Sequence, residues 1–152
     1  VTSPATAEVL NVNDIPTLDE LTDVSMNEDD PQQAQGLSGI TAGDGEVQVL
    51  LVMAASDNPG LIPDPTVTYT SPDTTGSITF TPVADQSGTA TLTITVTDGG
   101  LDNDLATTED NGTTTRTIVV NVAPVNDLPT IEVNGAFSIR ENAPLRTLDL
   151  TA

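Results

Sequence analysis

The sequence contains no cysteine, no histidine and no lysine, and only three of its 152 residues are aromatic. Without cysteine there are no disulfides, and no thiolate is available for catalysis. Without histidine or lysine the side chains most used for proton transfer and covalent catalysis are missing as well. A lysine–asparagine isopeptide cross-link is ruled out for the same reason. The aromatics are Tyr69, Phe80 and Phe137, too few to build a stacked platform for sugar rings. Positive charge is almost as scarce: Arg116, Arg140 and Arg146 face 23 carboxylates, for a net charge of −20. Such a surface repels nucleic acid and anionic membranes, which are met by basic patches. No apolar run is long enough to span a bilayer, so direct membrane insertion is not expected.

The chain is rich instead in carboxylates, threonine and β-branched apolar residues. Unrelieved negative charge costs stability through self-repulsion. With no disulfides to compensate, the excess points to stabilisation by a hard cation, chiefly calcium, which takes oxygen ligands. Thr91 to Thr97 alternates strictly between threonine and Leu92, Ile94 and Val96. Ser77 to Thr81 and Thr115 to Val122 behave alike, and Val47 to Ala55 is more continuously apolar. A period of two is the mark of strands, and no helical period of useful length occurs. Turn residues at Asn58-Pro59-Gly60, Pro63-Asp64-Pro65, Pro72-Asp73, Gln86-Ser87-Gly88 and Asp98-Gly99-Gly100 punctuate these runs. Seven strands are predicted, at 17–27, 46–56, 60–63, 66–71, 76–82, 89–97 and 113–123. The glycine-rich stretch 36–45 reads as the loop between the first two, with room for a short extra edge strand. The expected fold is all-β, a seven-stranded Greek-key β-sandwich of immunoglobulin-like type.

One stretch occurs twice. Val12-Asn13-Asp14-Ile15-Pro16-Thr17 returns 113 residues later as Val125-Asn126-Asp127-Leu128-Pro129-Thr130, and in the same register Glu28 matches Glu141 and Pro31 matches Pro144. A repeat at this distance marks a tandem array. The expected division is one complete module at 15–127. It is preceded at 1–14 by the last strand and linker of one repeat and followed at 128–152 by the first strand region of another.

These motifs resemble those of cadherin repeats, in particular the bacterial cadherin-like repeats of very long surface and secreted proteins. Asn126-Asp127-Leu128-Pro129 resembles the Asp-x-Asn-Asp-x-x-Pro linker, without its leading aspartate and one residue shorter. Arg140-Glu141-Asn142 resembles the Pro-Glu-Asn segment of the first strand, with Asn27-Glu28-Asp29 as its counterpart in the complete module. Ala55-Ser56-Asp57 and Thr97-Asp98-Gly99-Gly100 resemble the aspartate-bearing ends of the second and sixth strands. Thr70 to Gly76 resembles a turn between the fourth and fifth. Pro82 to Gln86 stands where cadherins carry Leu-Asp-Arg-Glu, with Gln86 replacing the glutamate. The resemblance implies calcium ions at module junctions. On the predicted strand order, Asn13, Asp14, Asp57 and Asp98 would converge at one end, with Asp102 and Asp104 as additions. Glu28, Asp85, Asn126 and Asp127 would converge at the other, and Glu141 belongs to the next junction. Each also has a plainer reading, since Asp98-Gly99 and Asn111-Gly112 are turn dipeptides and Asp57 is placed to cap a loop. Asn111-Gly112-Thr113 also matches a glycosylation sequon.

The expected role is a non-catalytic, calcium-stiffened structural or adhesive module in a long extracellular protein, with neighbouring repeats as its partners. Two alternatives stand beside it. One is a carbohydrate-binding module of a secreted polysaccharide-degrading protein, which would make extracellular or cell-surface polysaccharide its partner. The other is a fibre subunit that joins like chains by β-strand addition.

Overall fold

The computed structural model describes residues 12–128. Residues 1–11 and 129–152, with Phe137, Glu141 and most of the two expected partial repeats, lie outside them. The described residues form seven strands: β1 (Val24–Asn27), β2 (Gln33–Leu37), β3 (Leu50–Ser56), β4 (Thr66–Thr68), β5 (Gly76–Phe80), β6 (Gly88–Asp98) and β7 (Thr113–Ala123). They make two sheets, ordered β1-β7-β6-β3 and β2-β5-β4. All pairings are antiparallel except β1 with β7, which is parallel. This is the expected all-β sandwich.

The alternation seen in the sequence builds the core directly. Ala90, Leu92, Ile94 and Val96 of β6 and Ile118, Val120 and Val122 of β7 are all buried on one face. Their threonine neighbours face outward: Thr93, Thr95 and Thr97 stand opposite Thr117, Thr115 and Thr113. Leu37, Ile78 and Phe80 supply the other sheet's contribution. Burying a side chain of this size contributes about 1.5–3 kcal/mol, so the paired β6 and β7 form the strongest element of the module.

Two expectations need correction and a third is sharpened. The first predicted strand is split. Thr17 bridges Thr41 on the β2 side, the chain crosses between the sheets, and β1 then pairs with β7. At the crossing Asp23 Oδ1 accepts the Val119 N–H at 2.9 Å. The short extra edge strand allowed for at the glycine-rich stretch is β2, which starts ahead of it at Gln33 and is a full member of the second sheet. The predicted strand at 60–63 is a turn closed by N–H groups of Leu61 and Ile62 on the Asn58 carbonyl, with both side chains buried as a core plug. The total of seven survives, but Leu50–Ser56 becomes the third strand rather than the second.

That shift reverses an end. β3 runs antiparallel to β6, with Leu50 opposite Asp98 and Ser56 opposite Leu92. At about 3.3 Å per residue, Asp57 lies on the order of 20 Å from Asp98. Along the outer edge of β3 the Leu50 N–H is taken by Ser71 Oγ at 2.9 Å and the Ser56 N–H by Asp64 Oδ1 at 2.8 Å. These two side chains close the edge at both ends, as natural sheets do against unwanted pairing.

Candidate functional site

The two linker motifs meet opposite ends of the sandwich. Asn13 and Asp14 sit at the leading end, beside Asp98. Asn126 and Asp127 leave the trailing end, beyond Ala123 of β7.

At the leading end Asp98 continues the inward face of β6 by one residue, and so the strand buries it completely. A buried carboxylate needs donors, and the loop after β6 provides them. Asp98 Oδ1 accepts N–H groups from Gly100 at 2.9 Å and Gly112 at 2.8 Å. Gly100 has a φ of +61°, a conformation that favours glycine. A Cβ on Gly112 would stand 2.6 Å from Asp98 Oδ2. Asn13 Nδ2 reaches both oxygens of Asp98, at 3.2 and 3.4 Å. Asn13 Oδ1 in turn accepts from Gln48 Nε2 at 2.7 Å. Gln48 also donates to Glu46 Oε2 at 3.1 Å, the same oxygen that accepts the Asp14 N–H at 3.1 Å. Gln48 Oε1 and Asn111 Oδ1 are buried without a hydrogen-bond partner among the described residues.

The neighbouring acidic loop binds itself. Asp102 Oδ1 accepts from the Asp104 N–H, Asp104 Oδ1 from the Ala106 N–H, and Asp110 Oδ2 from the Leu101 N–H. Asp102 and Asp104 therefore serve as turn caps in this structure.

Glu28 at the trailing end repeats the logic of Asp98. It continues the inward face of β1 after Met26 and is only 6% exposed. Its N–H donates to the Ala123 carbonyl at 3.1 Å, and its Oε1 accepts the Val125 N–H at 2.8 Å. The outgoing segment is thus held against the end of β1, the neighbour of the strand it has just left. Beyond it, Asp127 is exposed and its carboxyl titrates above the ordinary value. The causes are partial desolvation, then the charges of Asp29 and Asp85, and a hydrogen bond with Asp85. Asn126 is exposed and donates to the Asp127 carbonyl at 3.3 Å. Asp85 sits in the loop before β6 with a φ of +59°.

The structure therefore brings Asn13 and Asp98 together, ties Asp14 only through its N–H to Glu46, and keeps Asp57 apart from them. Asp57 caps the far half of β6, accepting the Thr91 N–H at 2.7 Å and donating to its carbonyl at 3.1 Å. Asp85 and Asp127 meet, while Glu28 is occupied by Val125. Sequence reasoning missed Gln48, Glu46 and Asp29. Gln48 was detectable, because it shares the inward parity of Leu50 and Val52 within an otherwise apolar run.

Calcium takes six to eight oxygens. Among the described residues no three acidic side chains are grouped closely enough to hold a metal ion. The leading end does not fit calcium as it stands, since Asp98 faces N–H donors and the nearest nitrogen of Asn13 points at it. The trailing end fits in donor chemistry, offering hard carboxylates that repel one another, but with too few ligands from this module alone. Of the two described aromatics, Phe80 is in the core and Tyr69 is half-buried against it. No described helix is long and apolar enough to cross a membrane.

Neither a protein-family model nor a curated protein sequence matches the chain. Among solved structures, it is similar to domains 4 and 5 of the S-layer protein SbsC, at 19% identity and a TM-score of 0.45. That match covers 70% of this chain and 53% of the other, so the chain spans about half of that structure. It is also similar to PapD-like domain 7 of human CEP192, an ASH domain, at 8% identity and a TM-score of 0.43, covering 83% of this chain and 97% of the other. Likeness this slight assigns neither a role nor a site.

Proposed function

We propose that this chain is a non-catalytic structural link of cadherin-like type in an extracellular tandem array, in which calcium at the trailing junction stiffens the joint to the next module. The observation that carries this reading is the meeting of Asp85 with Asp127, the linker residue that recurs at both module ends, with Asp29 near enough to repel it. Clustered like charges splay a junction, and a divalent ion reverses that force. The ligands this module lacks would come from the following module.

Thermal melting in calcium and in excess chelator tests the reading. An ion present at 100 times its dissociation constant stabilises by about 2.7 kcal/mol. A junction completed only by the next module gives a smaller rise in this chain. A midpoint indifferent to calcium up to millimolar concentration would overturn calcium stiffening.

A further inference from the structure

Asn13 belongs to the linker, yet its carboxamide is used on both sides by the body of the sandwich. On one side a fully buried carboxylate, Asp98, takes its N–H donors. On the other a nine-tenths buried amide, Gln48, donates to its oxygen. The other contacts of Asp98 are filled by Gly100 and Gly112 N–H groups, which hold the carboxylate in place whether or not the linker is seated. A pocket with an acceptor on one wall and a donor on the other matches a carboxamide. It mismatches a carboxylate, which would face Asp98, and it mismatches a cation, which would face the Gln48 N–H.

We propose that this pocket is a metal-independent carboxamide socket, plugged by the asparagine of the Val-Asn-Asp linker, and that Asn126 is the plug for the corresponding socket of the following module. The repeat gives the second half of the statement. Asn126 stands where Asn13 stands, 113 residues on, and the same register puts the matching aspartate beyond residue 152. In this chain Asn126 is exposed, contacting only the neighbouring Asp127 carbonyl among the described residues. The residue before it is held by its own module, through the Val125 N–H on Glu28. Adjacent linker residues are therefore divided between two modules, one gripped from behind and one from in front. No free residue is left between the grips. These grips give the joint a restraint that needs no ion, to which calcium at the carboxylates would add. The inference rests on the tandem arrangement and is independent of calcium.

The test uses the full chain, by NMR in excess chelator. The side-chain NH₂ of Asn13 is expected to exchange with solvent at least about tenfold more slowly than that of Asn126. Equal exchange at the two positions would overturn the socket. Two variants make a second arm. Asn13→Ala is expected to lower the melting midpoint by the same amount in chelator and in calcium, while Asn126→Ala leaves it unchanged. Asn13→Asp is expected to lower it further in both, because it sets two carboxylates face to face. If Asn13→Asp instead raises the midpoint in calcium, the pocket is a cation site and the socket is wrong. Loss of the calcium response in the native chain with Asn13 protection intact would overturn the stiffening ion alone.

Discussion

The two ends of this sandwich solve the same problem with the same local device and then diverge. At each end a strand extends its inward face by one acidic residue: Asp98 after Val96 on β6, Glu28 after Met26 on β1. At each end that acid accepts a backbone or linker N–H. The leading end surrounds its acid with glycine N–H groups and a carboxamide, so its charge is used up internally. The trailing end satisfies one oxygen of Glu28 and then presents Asp127 beside Asp29 and Asp85, so negative charge accumulates at its surface. A buried acid with full hydrogen bonding is a structural pin. An exposed group of acids without counter-charge keeps its repulsion unrelieved.

Removing the pin at the leading end is expected to have the largest effect. Asp98→Ala strands the N–H groups of Gly100, Gly112 and Asn13 together in a closed site. The expected loss is about 3 kcal/mol by urea denaturation, identical with and without calcium. A calcium-dependent loss would merge the two ends into one kind of site and break the comparison. Glu28→Ala is expected to cost less, about 1–2 kcal/mol, since Val125 is partly exposed and water can replace the lost acceptor. The accompanying sign is faster hydrogen exchange at the Val125 amide, with Asp98's donors unaffected.

The comparison also shows how far the residues spoke for themselves. The threonine alternation of β6 and β7 predicted those strands nearly to the residue, because packing on one face and water on the other impose a period of two. The same parity, carried one residue further, would have marked Asp98 and Glu28 as buried acids. The third strand was found but miscounted, for β2 reads Gln-Ala-Gln-Gly-Leu and buries only Leu37. A strand with one inward anchor leaves almost no periodic trace. That single omission moved Asp57 to the wrong end, since each strand added or lost in an antiparallel fold inverts the direction of those after it. Gln48 stands out by the same parity, as a polar residue at an inward position of an apolar run, but nothing in its own segment names its partner, the linker residue Asn13.

Asp85→Asn sharpens the trailing end. It removes one of the two carboxyls that meet there, and the calcium-induced rise in melting midpoint is expected to fall by at least half, with the chelator midpoint unchanged or slightly higher. Asp14→Asn, at the leading end, serves as the matched control and leaves the calcium response intact.

The smallest expected effect carries the cleanest sign. The folded-state pKa of Asp127 lies above its ordinary value of 3.8. A carboxyl raised in this way binds its proton more tightly in the folded state than in the unfolded one. Its contribution is most favourable below the unfolded value and is lost as pH rises through the folded value. In chelator the native chain therefore loses a little stability on rising through that window and then levels off as far as this group is concerned. Asp127→Asn removes the titration. The variant should melt slightly above the native chain near neutral pH and level with it below pH 3.8. Calcium should invert the order at neutral pH, because the ion gains from the same charge that the apo junction suffers from. An inversion at Asp127 with none at Asp98 would mean that one end of the module is closed by hydrogen bonds and the other is held by charge.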